Sequence, residues 1–401
     1  MVAGMELIGQ RHALFPDLEA RVYWAFAAIV PLALPVRVAV EAWLLRLARE
    51  GMPAFGAALE AREQLRSELA GLLGGEASSY GFVQGTTAGM VALAHSINWR
   101  SGDRVVIFDD EFPANTVPWR EAARVYRLGV DVLPLATFAS TPELGLASLE
   151  ASLRRGGSRL VTVSAVEFQT GLALPLRDIA DVCHRYGALL AVDAIQAAGI
   201  VPLDLPTLGV DLAVGGGHKW LLAMDGAGWV YVAPAAREQL GTAMAGWLSF
   251  EGGPRFLFEP GHLHDRREHV AAPRVFEGGS SSTAAVVALL EGVKLCRQVT
   301  PAVAFAHVQA LHDRVEPRLV ELGFVSERTS FAAGRSGILA ARPPAGVSLA
   351  ALQRSLAQRG VVVTIPDGRL RLAPHFMSTF KEAEMLVAAL PEALSEVATP
   401  G

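Results

Sequence analysis

Cysteine is scarce: the 401 residues hold two, Cys183 and Cys296. They lie far apart, form no CxxC pair and have no nearby His/Cys set at metal-ligand spacing, so no disulfide framework and no metal site are expected. This cysteine usage predicts a cytoplasmic chain. Blocks of like charge are also missing. The 40 acidic and 35 basic residues give a formal net charge of -5 and are spread out, leaving no electrostatic footprint for nucleic acid or anionic lipid. Small molecules are the expected partners. Nor is there an apolar run of the roughly 18 to 20 residues that a membrane-spanning helix needs. The most apolar stretch, Val22 to Val36, contains Pro31 and Pro35 and follows Glu6, Asp17 and Glu19, where a signal peptide would want a basic start. It is expected to be buried in the globule.

What is present is core material. With 51% apolar against 19% charged residues, the chain can fill two or more domains. From about Leu65 to Pro234 short apolar runs alternate with helical patterns. Tyr80-Gly-Phe-Val83, Arg104 to Asp109, Arg159 to Val166, Ala188 to Asp193, Asp211 to Val214 and Gly228 to Val232 read as strands. Pro175 to Tyr186 reads as a helix stopped by Gly187. The alternation predicts an α/β domain with a mostly parallel, doubly covered sheet. After about Ser282 the texture changes to two long apolar-periodic helices, Thr283 to Val299 and about Ala302 to Leu322. A smaller α/β element follows: a strand at Gly337 to Ala341, a helix at Leu349 to Arg359, and strands at Val361 to Thr364 and Leu370 to Ala373. A last helix opens on Thr379-Phe-Lys-Glu382, at capping-box spacing.

The densest chemical signal is Val192-Asp-Ala-Ile-Gln-Ala-Ala-Gly199 followed by Gly215-Gly-Gly-His-Lys-Trp220. Asp193 sits where an apolar strand runs out, the position of the ligand crevice in a parallel sheet. A carboxylate there can hold a protonated pyridine nitrogen, as pyridoxal 5'-phosphate (PLP) chemistry requires; it can equally cap the next helix. Gln196 is three residues on, within reach of the phenolic oxygen of such a ring. Lys219, between three glycines and Trp220-Leu-Leu222, has an apolar setting that favours the neutral, imine-forming amine over a solvated surface cation. Gly85-Thr-Thr87 lies between a strand and a helix start, where backbone N-H groups and hydroxyls bind phosphate, although threonine is also an ordinary cap. Phe112, just past the strand that ends at Asp109, can lie on a flat ring or pack in the core. Arg369 and Arg371, ahead of Ala373-Pro-His-Phe376, offer a fork that matches a carboxylate or remain surface groups.

Taken together these segments resemble the class V aminotransferase superfamily of fold type I PLP enzymes, in its isopenicillin N epimerase-like and cysteine desulfurase-like branch. The resemblance runs in order from Phe15-Pro-Asp-Leu18 through Gly85-Thr-Thr87, Glu111 to Asn115, Val166 to Gly171, Val192 to Gln196, His218 to Leu222, Gly246 to Ser249, Phe276 to Ser280 and Leu370 to Phe376. It implies a large PLP-binding domain over residues 21–282 with a mostly parallel sheet of the seven-stranded type. A small C-terminal domain over 283–401 and an N-terminal segment over 1–20 packed on it complete the expected organisation. It implies Lys219 as the Schiff-base lysine, Asp193 at the pyridine nitrogen and Gln196 at the phenolic oxygen. Gly85, Thr86, Thr87 and His218 would hold the phosphate, Phe112 would cover the ring, and Glu167 would join the cofactor site. Ser280 would reach a phosphate across a homodimer interface. Arg371 would take the substrate carboxylate, with Phe26 and Ala27 at the substrate end. The implied activity is aminotransferase-type chemistry at the α carbon of an amino acid or its conjugate, with C-S lyase or epimerase chemistry as alternatives and a catalytically silent scaffold as the reading from another class. Three departures bear on this. Gly360 to Arg369 contains no cysteine, which disfavours persulfide-forming desulfurase chemistry. Gly216 stands where the family is often polar, and Ala25-Phe26 stands where Asn-His is usual, so the substrate end is expected to be apolar.

Overall fold

The computed structural model describes residues 5–263 and 268–397. Its strands are β1 (Val22–Tyr23), β2 (Tyr80–Val83), β3 (Arg104–Phe108), β4 (Gly129–Leu133), β5 (Ser158–Ser164), β6 (Leu189–Asp193), β7 (Leu212–Gly216), β8 (Gly228–Val232), β9 (Val325–Ser326), β10 (Leu339–Arg342), β11 (Val361–Val362) and β12 (Leu370–Leu372). Seven of them form one sheet in the order β2-β8-β7-β6-β5-β3-β4. All neighbours are parallel except β8, which is antiparallel to both β2 and β7.

Strand side chains alternate between faces, and two cores result. Val106, Phe108, Leu190, Val192 and Ala213 join one cluster, while Val105, Ile107, Ala191, Leu212 and Val214 join another on the opposite face. The second face is covered by Met90, Leu93 and Ala94 of the helix Thr86–Ser96 and by Trp119 and Ala122 of Val117–Tyr126. The first is covered by Ile179, Ala180, Val182 and Cys183 of the helix Leu176–Arg185, and by the helices Pro142–Leu153, Phe55–Leu73 and Thr283–Val299. Burial on both faces is why these strands read as continuous apolar runs rather than alternating ones. Gly187, φ +72°, ends the helix Leu176–Arg185 in the left-handed conformation that its sequence position predicts.

A separate cluster gathers Leu339, Leu370 and Leu372 of the antiparallel sheet β12-β10-β9 with Leu352, Leu356, Leu386 and Leu390 of the helices Leu349–Gln358 and Phe380–Val397. The capping box at its last helix is formed: Thr379 N-H donates to Glu382 Oε2 at 2.8 Å, and Glu382 N-H donates to Thr379 Oγ1 at 3.0 Å. The change of core does not coincide with the change of texture at residue 283. The helix Thr283–Val299 packs wholly into the large core, and Pro301–Glu321 passes from it, through Ala304 and Val308, to the smaller one, through Leu311, Val315 and Leu319.

The apolar stretch after Arg21 ties the two cores together. Val22 and Trp24 belong to the smaller cluster, where β1 pairs in parallel with β11. Phe26 N-H then donates to Ala373 O, and Val30 N-H to His218 O. Trp24 to Ala27 are buried as expected of this stretch, but Ile29 and Leu32 are exposed. Among the described residues no helix is long and apolar enough to cross a membrane.

The helix Thr283–Val299 supports the turn that follows Lys219. A Cβ at Gly292 would collide with the carbonyl oxygen of Leu221. Alanine normally gains about 1 kcal/mol over glycine in a helix interior, but a backbone collision on a packed face costs about 1–3 kcal/mol. Gly292→Ala is therefore expected to lower stability by about 1–2 kcal/mol, read as a lower denaturation midpoint; a raised midpoint would disprove the close packing.

Candidate active site

Strands β2, β3, β5, β6 and β7 all run the same way, so their carboxyl ends deliver the following residues to one crevice. The ends are in line: Val83 is opposite Gly228, and Gly228 is opposite Gly216. Gly228 allows this closeness, because a Cβ there would lie 2.6 Å from Gly215 O and 2.7 Å from Gly85 Cα. The result is a cavity of about 620 Å³ whose wall includes Gly85, Thr86, Thr87, Phe112, Asp193, Gln196, His218, Lys219 and Arg371. Residues from five separate segments thus meet as the sequence pattern predicts.

Asp193, the last residue of β6, is 2% exposed and accepts a hydrogen bond from Ile195 N-H at 3.0 Å. Burial pushes its pKa up to about 6, against the Ile195 bond and the nearby Lys219, which favour the carboxylate. Lys219 has its Nζ 5.7 Å from the centroid of the Phe112 ring. Burial lowers the amine to about 8; Asp193 opposes this and Arg371 adds to it. His218 is also held below the usual imidazole range, by burial first and by Lys219 second. Glu111, behind the wall, accepts from Ser164 N-H at 2.6 Å and from the Ser164 hydroxyl, and burial pushes it up to about 7.

Arg371, in β12 of the smaller sheet, enters the cavity from the other side. It is 5% exposed, donating from Nε to Thr364 Oγ1 at 3.0 Å and from Nη1 to Phe168 O at 2.6 Å. Among the described residues no carboxylate lies within ion-pair distance of it, and burial lowers its pKa to about 10. Arg369, two residues earlier, is instead paired with Glu327 at 2.6 Å and bonded to Gln169. The tertiary contacts thereby engage Arg369 elsewhere and leave Arg371, the arginine that the resemblance implied for a carboxylate, in the cavity wall.

Phe26 and Glu167 are elsewhere, and Ser280, expected to act across a dimer interface, lies outside its own chain's cavity. Phe26 is not in the cavity wall but buried in the core, edge-on to His375 at 5.4 Å; Ala27, with Ala28, faces the cavity. Glu167 holds its own turn together, accepting from Gln169 N-H at 2.8 Å and from Thr170 N-H and Oγ1 at 2.6 Å. Ser280 is exposed and lines a neighbouring cavity of about 280 Å³ with Arg62 and Ser281. Gln196 faces the cavity, but its amide is already engaged: Nε2 donates to Ala27 O at 3.0 Å, and Oε1 accepts from Trp220 Nε1-H at 2.9 Å. One amide hydrogen is left for a ligand. The wall also contains Gln84, Ala114, Phe168, Ile195 and Pro366, which the sequence did not single out. Gln84 could have been found from its place between Val83 and the glycine at the helix start. Pro366 comes from the other core and has no local signal.

The donor set fits PLP. An amine of lowered pKa and a buried carboxylate share the cavity with an aromatic ring, which suits an aldehyde-bearing pyridine. The helix Thr86–Ser96 starts at the same cavity with first N-H groups that have no partner within the helix, and among the described residues Thr86 Oγ1, buried there, has no hydrogen-bond partner, which suits a phosphate. The family model described as Aminotransferase class-V matches residues 46–384. Isopenicillin N epimerase of Streptomyces clavuligerus is 29% identical over 335 residues, covering 82% of this chain and 83% of its own. Isopenicillin N epimerase of Amycolatopsis lactamdurans is 30% identical, with 82% and 83% covered. The solved cysteine desulfurase CsdA of Escherichia coli superposes with a TM-score of 0.82 at 23% identity, covering 97% of this chain and 98% of that one. With five strand ends converging on a buried amine and carboxylate, and with the family model spanning both cores, the chain belongs to the class-V aminotransferase family and is a PLP-dependent enzyme of fold type I.

Proposed function

We propose that the enzyme acts at the α carbon of an amino acid, or of an amino-acid conjugate, whose carboxylate is held by Arg371 and whose α proton is taken by Lys219. The observation that carries this reading is the guanidinium of Arg371, buried in the cavity wall and, among the described residues, hydrogen-bonded to neutral acceptors, with Glu167 near enough to favour its charge but not in contact. A buried cation with no carboxylate in contact is costly, and a substrate carboxylate in bidentate contact would neutralise it. Bound at Lys219, the cofactor supplies an electron sink for the pair left at the α carbon. Asp193 would hold the pyridine nitrogen protonated, Thr86, Thr87, Gly85 and His218 would take the phosphate, and Gln196 has one N-H for the phenolic oxygen. Phe112 would cover the ring. As a free amine of lowered pKa, Lys219 would accept and return a proton near neutral pH.

Where that proton returns sets the product, and aminotransferase-type chemistry is the first reading. Epimerisation is the second, favoured by the two relatives of that activity, each matched over 82% of this chain. Persulfide chemistry fits poorly: Cys183 and Cys296 are buried free thiols, and burial raises both, Cys296 to about 12. Free thiols suit a reducing, cytoplasmic compartment. In this reading the working unit is a homodimer, and Ser280, exposed and outside its own chain's cavity, serves the partner copy's cofactor phosphate.

Exchange of the α proton with heavy water, followed by NMR in the PLP-loaded enzyme, tests the reading directly. Lys219→Ala should abolish exchange, and Arg371→Ala should raise KM for the amino acid about 10- to 100-fold, the worth of charge-assisted hydrogen bonds of ~1.5–3 kcal/mol. Unchanged exchange in Lys219→Ala would sink it. The neutral amine is the form that captures the cofactor, so uptake of PLP by the apoprotein should accelerate as pH rises towards about 8 and level off above it. A rate still climbing in proportion well beyond that pH would show an unshifted lysine.

A further inference from the structure

We infer that Trp220 is a positioning residue: held in place by His375, its indole N-H fixes the amide of Gln196 so that an N-H, and not the carbonyl oxygen, meets the phenolic oxygen of the cofactor. This rests on the reading of Gln196 as the group at that oxygen. The two ends of a glutamine amide have nearly the same shape, and hydrogen-bond partners alone choose between them. Here each partner is of one kind only. The Trp220 indole can only donate, and it meets Oε1 at 2.9 Å; the Ala27 carbonyl can only accept, and it meets Nε2 at 3.0 Å. Turning the amide over would set donor against donor and acceptor against acceptor where Gln196 is 3% exposed. With the amide so set, Gln196 offers the cavity that it lines the hydrogen of Nε2 not given to Ala27. An N-H at a phenolic oxygen favours the ionised form, and a carbonyl oxygen would oppose it.

Trp220 is itself fully buried and anchored through its backbone. Its carbonyl oxygen accepts from His375 Nε2-H at 3.0 Å and from the Cys296 thiol at 3.3 Å. The direction of the His375 bond follows from the other ring nitrogen. Nδ1 accepts from Phe376 N-H at 2.8 Å and so carries no hydrogen, which leaves the hydrogen of the neutral ring on Nε2. Burial keeps that ring neutral, lowering its pKa to about 4. Around it pack the rings of Phe26 at 5.4 Å, Phe376 at 4.7 Å and Trp220 at 5.5 Å between centroids. Between Arg371 and His375, Ala373 N-H donates to Trp24 O at 2.9 Å and Ala373 O accepts from Phe26 N-H at 3.1 Å. One short stretch of chain thus sets Arg371 in the cavity wall and His375 against Trp220, and the N-terminal segment bonded to it brings the Ala27 carbonyl to Gln196. Phe26 takes part in this without lining the cavity.

The absorbance of the cofactor bound at Lys219, titrated with pH, reads the donor at the phenolic oxygen. Asp193, His218, Lys219 and Arg371, the ionisable groups of the cavity wall, are the same in every variant. Gln196→Leu should move the midpoint up by about one pH unit, a roughly 10-fold gain in proton affinity and the worth of one hydrogen bond to a charged group. Trp220→Phe, which keeps an aromatic ring and loses the donor, should move it the same way by about 3- to 10-fold. Added to Gln196→Leu, it should move the midpoint no further. A midpoint unmoved by Trp220→Phe, or a second full shift in the double variant, would overturn the inference and leave the Gln196 reading standing. A midpoint unmoved by Gln196→Leu would overturn both. NMR of the enzyme with isotopically labelled histidine needs no variant: the nitrogen shifts of His375 should place its hydrogen on Nε2 and show no titration around neutral pH. A hydrogen found on Nδ1 would overturn the anchoring of Trp220 even if Trp220→Phe does not fold.

Discussion

The structure is organised around ionisable groups buried in one cavity, where Asp193 and Lys219 partly offset each other and Arg371 has no carboxylate in contact among the described residues. Asp193, Lys219 and Arg371 are brought into one cavity largely shielded from water, and their pKa values are driven towards one another, to about 6, about 8 and about 10. Burial is the largest cause in each case and opposes the charged form. Such a cluster is expensive in an empty protein and becomes favourable once a cofactor and a substrate supply the opposite charges. The stability of the surrounding scaffold makes this tolerable. Two-sided burial of the large sheet and the packing of Thr283–Val299 against the turn after Lys219 hold the amine in its buried position.

The parallel sheet delivers one half of the site and the smaller core the other. Asp193, Lys219, Phe112 and the Gly85-Thr-Thr87 helix start come from strand ends at a common edge, whereas Arg371, Thr364 and Pro366 come from around β12. The segment after Arg21 runs between them, paired with β11 at one end and bonded to His218 and Gln196 at the other. The site therefore depends on the relative placement of two cores, and the N-terminal segment is a strap that fixes it. This gives the apolar Val22–Val36 stretch a role beyond filling the interior: its buried part carries Ala27 into the cavity wall.

Much of this was legible without coordinates. Six of the seven strands of the large sheet stand out as apolar runs, because a strand buried on both faces has no polar face to break the run; β4, with Asp131 inside it and Val132 exposed, does not. The capping box at Thr379 and the stop at Gly187 are local, and local hydrogen bonding alone suffices to place them. Asp193, Lys219 and the Gly85-Thr-Thr87 helix start were recognisable because their neighbours along the chain create their environment. The places of Phe26 and Glu167 were not, since each could face a ligand, the core or its own turn, and only packing chooses.

The sequence by itself determined the α/β architecture, the residue types of the chemistry and the absence of a thiol near Arg369, because these depend on period, composition and neighbours a few residues apart. The tertiary structure alone decided the surroundings of the two arginines, since the fold brings Glu327 to Arg369 and, among the described residues, no carboxylate into contact with Arg371. It also decided that Gln196 is half committed to Ala27 and Trp220, and that Phe168 and Pro366 line the cavity. These facts arise from contacts between residues as far apart as Phe168 and Arg371, separated by 203 positions, and the side chains themselves carry no mark of which distant partner the fold will bring to them.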